Sequence, residues 1–414
     1  MLAPNIDTMS QDTRIPHRAG TRGYLRVTTA LCSAGLASFA AMYCTQALLP
    51  VLSAYYRIDP ATAALSVSLT TGMLALAIVP ASVLSERYGR TGVMLASGIA
   101  SSVIGLLIPF SPSLTILLVG RALQGIALAG VPAVAMALLA EEVHADSLGS
   151  AMGRYIAGTT IGGLLGRIVP SLVVDVSNWR IALLAVSLTT LLGTVAFAVL
   201  VPRSQFFTPK AASLSATVHS LVTHLRNPQL IKLFGLGFVL MGGFVTVYNY
   251  LGYRLTAQPF ALASSTVGLL FLLYLVGTVT STVAGRLADR KGRALVLGAA
   301  MPITAAGLLV TMPHTLVAVA VGAGVFTGGF FAAHTVASGW VSAVAQRDRA
   351  EASALYLLGY YMGGSVAGAL GGLVYRGGGW PATVGFVTAL LVAGLLLAAL
   401  LVRQTPARQL SMAS

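Results

Sequence analysis

Three chargeable side chains, Arg121, Arg167 and His334, lie deep within long apolar stretches of the sequence. A guanidinium keeps its charge and binds carboxylate or phosphate groups, whereas an imidazole can take up and release a proton near neutral pH. Charge is costly in apolar surroundings, so these residues are candidates for holding an anion or moving a proton. The arginines could instead extend toward water, and the histidine could be only a hydrogen-bonded helix contact.

Amide and phenol side chains occur in the same apolar stretches and add hydrogen-bonding capacity. We predict that a polar cavity is lined by Tyr43, Gln46, Arg121, Gln124, Arg167, Asn249, His334 and Tyr361. Tyrosines near a membrane surface can equally be interfacial anchors.

All eleven acidic residues lie outside the middle of the apolar stretches. A cavity that holds arginine and histidine without a carboxylate favours anionic or neutral polar ligands over organic cations. No grouping of nucleophile, base and metal ligands indicates catalysis, so we expect no enzyme activity, no catalytic residue and no metal site. The two cysteines, Cys32 and Cys44, are too far apart on one helix to form a disulfide.

The chain contains an internal repeat. The segment 84–90 reappears as 287–293, and Trp179 is matched by Trp380 at nearly the same offset. Glycine rows with spacings of four residues also recur, and they predict close helix packing: Gly158, Gly162 and Gly166 in the first half, and Gly364, Gly368 and Gly372 in the second.

The composition of the chain indicates which secondary-structure elements position these residues. Of the 414 residues, 56% are hydrophobic and 9% are charged, which a water-soluble surface does not accommodate. Twelve apolar runs of about twenty residues predict transmembrane helices, the first at 27–52. We therefore predict an all-α membrane protein with two pseudo-symmetric six-helix bundles at 27–201 and 230–402. A tail at 1–26, a central loop at 202–229 and a tail at 403–414 complete the chain.

The basic residues predict the orientation. If both termini are cytoplasmic, that face carries 18 lysines and arginines and the other face carries four. We thus expect a multi-pass membrane protein with both termini in the cytoplasm. The N-terminal segment lacks the features of a cleavable signal peptide. The basic residues lie in short loops, which argues against nucleic-acid binding, and we expect a monomer in the lipid bilayer.

Three motifs resemble those of the major facilitator superfamily. Its signature loop is matched after the second and eighth spans by Glu86, Arg87, Gly89 and Arg90, and by Gly285, Asp289, Arg290, Gly292 and Arg293. The first copy departs from the pattern at three positions: Ser82 replaces the first Gly, Glu86 replaces Asp, and Thr91 replaces the last basic residue. Arg121 to Gly125 resembles the Arg-x-x-Gln-Gly element of the fourth helix. The fifth helix resembles the antiporter element, with departures at Gly163 and Arg167.

The resemblance extends over the whole chain and is strongest to YnfM-like, arabinose-efflux-type bacterial inner-membrane permeases. It implies a secondary transporter that moves a small solute by rocker-switch alternating access, with the two loops as cytoplasmic gates and no cofactor. We expect proton-coupled efflux, with His334, Glu86 and Asp289 as coupling candidates. The alternatives are a multidrug efflux antiporter and, from other classes, a membrane enzyme or a non-transporting receptor.

Overall fold

The computed structural model describes residues 16–207 and 214–404. In these ranges, eleven continuous helices are long and apolar enough to cross a membrane. The last of them, Arg349–Gln404, contains two spans because the backbone breaks at Gly378 and at Gly379, which has a φ of 60°. The part of the chain that is described therefore crosses twelve times, and the predicted all-α fold is confirmed.

We number the spans in chain order: α1 (Arg22–Tyr56), α2 (Pro60–Tyr88), α3 (Arg90–Phe110), α4 (Leu114–Glu142), α5 (Ala145–Val176), α6 (Trp179–Leu200), α7 (Pro228–Thr256), α8 (Ser264–Lys291), α9 (Arg293–Val310), α10 (Leu316–Val344), and α11 and α12 before and after the break within Arg349–Gln404.

The predicted tails and central loop are described only in part, since residues 1–15, 208–213 and 405–414 lie outside the described ranges. The loop contains a further helix, Leu214–Leu225, that the sequence analysis did not predict. The first span also begins earlier than position 27, because the Thr21 side chain caps the helix that starts at Arg22.

Local sequence determines where the helices begin and end. Asp59 accepts hydrogen bonds from the side chain of Thr62 and from the backbone N–H groups of Ala61 and Thr62. These hydrogen bonds hold the pKa of the Asp59 carboxyl below its ordinary value. Gly89 and Gly292 end α2 and α8 with φ angles of 93° and 88°, a region that favours glycine. The repeated signature loops therefore make the same backbone turn in both halves.

The first glycine row lies where α5 packs closely on α1. A Cβ atom at Gly158, Gly162 or Gly166 would collide with the backbone of α1 at Cys32, Leu36 or Ala40. Glycine at these positions lets the two helix backbones approach directly.

In the second half, the row that meets the backbone of α7 is displaced by one residue from the predicted row. Gly359 and Gly363 approach the carbonyl groups of Phe234 and Phe238. The predicted Gly364 and Gly368 contact side chains instead, and Gly372 meets Ala61 of α2 in the other half. The glycines that make the same backbone contacts in the two halves, Gly158 with Gly359 and Gly162 with Gly363, are 201 residues apart, which is also the offset between Trp179 and Trp380.

The halves meet mainly at one end of the bundle. The loops α2–α3 and α8–α9 lie on the face where the described chain begins and ends, and we call it the terminal face. The face on the other side of the bundle is called the opposite face. Asp175 at the end of α5 accepts hydrogen bonds from the backbone of Ser264 and Ser265 at the start of α8. The Ser53 hydroxyl also lies 2.6 Å from the Tyr253 hydroxyl. The opposite face is therefore closed.

The terminal face lacks comparable contacts. All hydrogen bonds recorded between the halves, over the residues described, lie in the middle or toward the opposite face. The helices α4 and α10 pack against helices of their own half. We call the region between the halves, on the terminal side of these hydrogen bonds, the central space.

Candidate functional site

A break in α1 places polar side chains at the centre of the molecule. Its first helical stretch ends at Tyr43, a 3-10 turn follows at Gln46–Leu48, and the helix resumes at Leu49 with Pro50 in its first turn. Irregular backbone inside a membrane is tolerated only where other groups satisfy its hydrogen bonds. This break orients Gln46 toward the junction of the two halves.

Gln46 joins Arg167 of the first half to Asn249 of the second. The Arg167 Nε donates to the Gln46 Oε1 at 2.6 Å, and the Gln46 Nε2 donates to the Asn249 Oδ1 at 2.8 Å. Arg167 also donates to the Gly163 carbonyl at 2.6 Å. Arg167 is 3% exposed and Asn249 is 1% exposed. Three predicted site residues thus form one hydrogen-bonded chain, which we call the Arg167 relay.

Aromatic rings surround the guanidinium of this relay. The Arg167 Cζ lies 3.9 Å from the ring centre of Tyr43, 5.2 Å from that of Phe271 and 4.9 Å from that of Tyr274. Rings at these distances attract a cation through their π faces. The predicted Tyr43 lies here, whereas Phe271 and Tyr274 were not predicted. The sequence holds no signal that distinguishes these two rings from the other aromatic residues of the spans.

A small cavity lies beside Gln46, and its volume is about 20 Å³. Its lining residues include Gln46, Pro50, Tyr248 and Phe271. This volume accommodates a single water molecule. The Arg167 relay therefore lies at the closed end of the central space.

Arg121 does not line that space, which corrects the sequence expectation. It is fully buried at 0% exposure inside the first half. Its guanidinium donates to the carbonyl groups of Ala41, Met42 and Ser66. The carbonyls of Ala41 and Met42 belong to the last turn of the first stretch of α1, where intrahelical partners are missing. Arg121 therefore stabilises the break in α1.

Gln124 belongs to the same internal network. Its Oε1 accepts from Arg121 at 2.5 Å, and its Nε2 donates to the Ser101 carbonyl at 3.1 Å. Gln124 therefore does not line the cavity as predicted. The side chains of Arg121 and Gln124 both donate to backbone carbonyl groups inside the first half.

His334 lies on the other wall of the central space. Its Nδ1 is 2.9 Å from the Tyr356 hydroxyl, and its ring centre is 4.5 Å from that of Tyr360. The side chain is half-buried. The predicted Tyr361 is buried beside Tyr360, with ring centres 5.3 Å apart. Tyr360 itself was not predicted, and it contributes more to the wall than Tyr361.

The signature loops lie at the terminal face. Arg90 forms an ion pair with Glu141 at 3.0 Å and donates to the Ser85 hydroxyl at 2.6 Å. The acids of the two expected gates, Glu86 and Asp289, have no recorded ion-pair partner among the described residues.

Comparison with known proteins agrees with this architecture. The model of the Major Facilitator Superfamily matches residues 31–258 and 233–411. The chain belongs to the Major Facilitator Superfamily. The inner membrane transport protein YnfM of Escherichia coli (strain K12) is 40% identical to this transporter over 397 residues, which cover 95% of each chain. The uncharacterised MFS-type transporter YybF of Bacillus subtilis (strain 168) is 40% identical over 93% of this chain and 96% of its own.

Solved structures share the fold at low sequence identity. A bacterial homologue of the human lysosomal transporter Spinster, in an inward-facing and occupied conformation, has a TM-score of 0.73 and 14% identity. That match covers 93% of this superfamily member and 98% of the homologue. The nucleoside transporter NupG (D323A mutant) has a TM-score of 0.72 and 13% identity over 92% and 99% of the two chains. The likeness extends to the fold alone.

Proposed function

We propose that this transporter exports a small anionic or neutral polar solute, such as an organic acid or a sugar-like molecule, in exchange for protons. The solute binds at the Arg167 relay, between the two halves. The observation that carries the proposal is a buried cation at the junction of the halves whose recorded partners are amides, a carbonyl and aromatic rings.

The positions of the acids support this sign of charge. Asp7 and Asp12 lie outside the described residues, and each of the other nine acids is in a loop or in the first or last turn of a helix. Asp175, on the same helix as Arg167, is two turns away and caps α8. A cation without a carboxylate beside it attracts an anion or a polar neutral group and repels an organic cation.

Coupling to protons is assigned to His334. It is the titratable imidazole on the wall of the central space, and its partner Tyr356 lies on α11. Glu86 and Asp289 are the second set of candidates, because they lie in the repeated loops that we expect to close the terminal face. The glycine element of α5 supports export, since it resembles the element found in antiporters of the superfamily.

We place both termini in the cytoplasm, so that the central space opens inward. The excess of basic residues at the terminal face supports this orientation. A green fluorescent protein fused to the C terminus should fluoresce, and an alkaline phosphatase fused there should be inactive. Active phosphatase would contradict the orientation.

A flux assay with anionic, neutral and cationic solutes tests the proposed function. The purified transporter is reconstituted into liposomes, a pH gradient is imposed, and the movement of organic acids, sugars and permanently cationic dyes is measured. We expect gradient-driven movement of an acid or a sugar. Strong transport of the cationic dyes, with neither acids nor sugars moved, would overturn the proposal.

A further inference from the structure

The direction of each hydrogen bond in the Arg167 relay is determined by its arginine. A guanidinium only donates, so the atom of Gln46 that faces Arg167 is the carbonyl oxygen. The Gln46 amide nitrogen must then donate to Asn249, and the atom of Asn249 that accepts is its oxygen. The remaining atom, the Asn249 Nδ2, is buried and has no hydrogen-bond partner among the residues that the structure describes.

Two groups of the site that can only donate lack a recorded partner among the described residues. Besides the Asn249 Nδ2, the Nη2 of Arg167 has no recorded hydrogen bond to a described residue. The Asn249 Nδ2 also approaches Gly368 of α11, where a Cβ atom would lie 3.4 Å from it and 3.6 Å from the unpartnered Ser68 hydroxyl. Buried donors are normally paired, so this group of donors calls for an acceptor from a ligand.

The acceptor that fits best is a carboxylate. It has two oxygens that accept hydrogen bonds and a charge opposite to that of Arg167. A single charge suffices, because the other buried arginine near the break in α1, Arg121, is already satisfied by backbone carbonyls. A ligand with two carboxylates would leave one of them without an arginine.

The walls of the site are aromatic. Tyr43 and Tyr274 flank the guanidinium, and Phe331, His334 and Tyr360 are half-buried where the central space widens. The ring centres of Tyr274 and Phe331 are 6.1 Å apart. Rings of this kind pack well against a planar apolar body, and each ring adds contact area to the binding free energy.

We propose that the solute is a small aromatic monocarboxylate. Its carboxylate accepts hydrogen bonds from Arg167 and Asn249, and its ring packs against Tyr43, Tyr274 and Tyr360. Because Arg167 belongs to the first half and Asn249 to the second, such a ligand joins the two halves directly. This inference rests on the proposed function and narrows its substrate class.

Thermal unfolding of the purified full-length transporter tests the inference. The probes are benzoate, 4-hydroxybenzoate and phenylacetate, compared with benzyl alcohol and benzylamine, which keep the ring, and acetate, which keeps the carboxylate. We expect the aromatic acids to raise the unfolding temperature in proportion to the logarithm of their concentration, and the other three probes to leave it unchanged.

Variants locate the binding. Asn249→Asp keeps the size of the side chain but adds a negative charge, and Asn249→Leu removes the donor. Each should weaken binding of the aromatic acids at least tenfold. Arg154→Gln serves as the control, since Arg154 is an exposed arginine on the same helix α5 that contacts Thr28 away from the site. It should leave binding unchanged.

Three results would overturn the inference: no stabilisation by any of the aromatic acids, equal stabilisation by acetate or benzylamine, or unchanged binding in folded Asn249→Asp. Liposome flux separates this failure from failure of the proposed function. Transport of a sugar or an aliphatic acid without binding of aromatic acids contradicts only the substrate class. Transport of cationic dyes alone contradicts the proposed function itself.

Discussion

Arg121 and Arg167 are both buried in the first half, and their partners differ in kind. The partners of Arg121 include two carbonyl groups that the broken helix α1 leaves free, the Ser66 carbonyl of α2 and the side chain of Gln124. Arg167 has one carbonyl, one amide and a set of rings, and it lies at the junction of the halves. At the scale of residues, the first arginine is structural, whereas the position of the second supports the proposal that it binds the solute.

This distinction predicts different effects of substitution. Arg121→Met should lower the free energy of unfolding by about 3 kcal/mol, because several buried carbonyl groups lose their donor. The thermal unfolding midpoint of the purified protein measures the effect. The control is Arg154→Met, which removes an exposed guanidinium from α5 and should have little effect. Equal midpoints for the two variants would contradict the structural role of Arg121.

The role of His334 is tested by uptake into inverted vesicles. His334→Ala should abolish uptake that is driven by a pH gradient while solute exchange persists, because the cavity loses its titratable imidazole. His314→Ala changes an exposed histidine in the loop between α9 and α10 and should leave both activities intact. Gradient-driven uptake at the normal rate in His334→Ala would remove His334 from the coupling mechanism.

At the scale of elements, the packing of α5 on α1 depends on missing side chains. Gly162→Ala should lower the unfolding free energy by about 1–3 kcal/mol, because the new methyl group collides with the backbone at Leu36. At Gly153, on the same helix, an added Cβ meets nothing within 4 Å. Gly153→Ala should be neutral or slightly stabilising, since alanine favours a helix over glycine. Two equal effects would contradict the packing explanation.

The spans were predictable because each depends on a local property, an apolar run of sufficient length. The turns at Gly89 and Gly292 also follow from local sequence, since both have positive φ angles. The displaced glycine row in α11 shows the limit of prediction from local sequence. Gly359 and Gly363, rather than Gly364, meet the backbone of α7, and only the rotation of the packed helices decides which neighbour does so.

The candidate site was partly predictable. Polar residues in apolar spans pointed to Gln46, Arg167 and Asn249, which the structure joins in one hydrogen-bonded chain. The same criterion wrongly placed Arg121 in the cavity, because sequence does not show that α1 breaks beside it. Aromatic residues such as Tyr274 carry no distinguishing signal in a membrane protein, so they appear only once the helices are packed.

At the scale of the whole molecule, the two halves meet through side chains at the opposite face and separate toward the terminal face. The contacts at the closed end include the capping of α8 by Asp175, the pair of Ser53 and Tyr253, and the packing of Ser171 on Gly268. An alternating mechanism requires that these contacts break while the repeated loops of the terminal face come together. The Arg167 relay lies between the contacts at the opposite face and the repeated loops of the terminal face.

A reversible lock on the opposite face tests this account most directly. A Cβ atom at Gly268 would lie 2.6 Å from that of Ser171, so Ser171→Cys with Gly268→Cys brings two thiols within bonding reach after a slight separation of the helices. Exchange of a solute identified by thermal stabilisation is measured in liposomes, before and after reduction, with oxidised wild type as control. We expect no exchange by the cross-linked protein and recovery after reduction. Exchange by fully cross-linked protein at the rate of its reduced form would contradict alternating access through this gate.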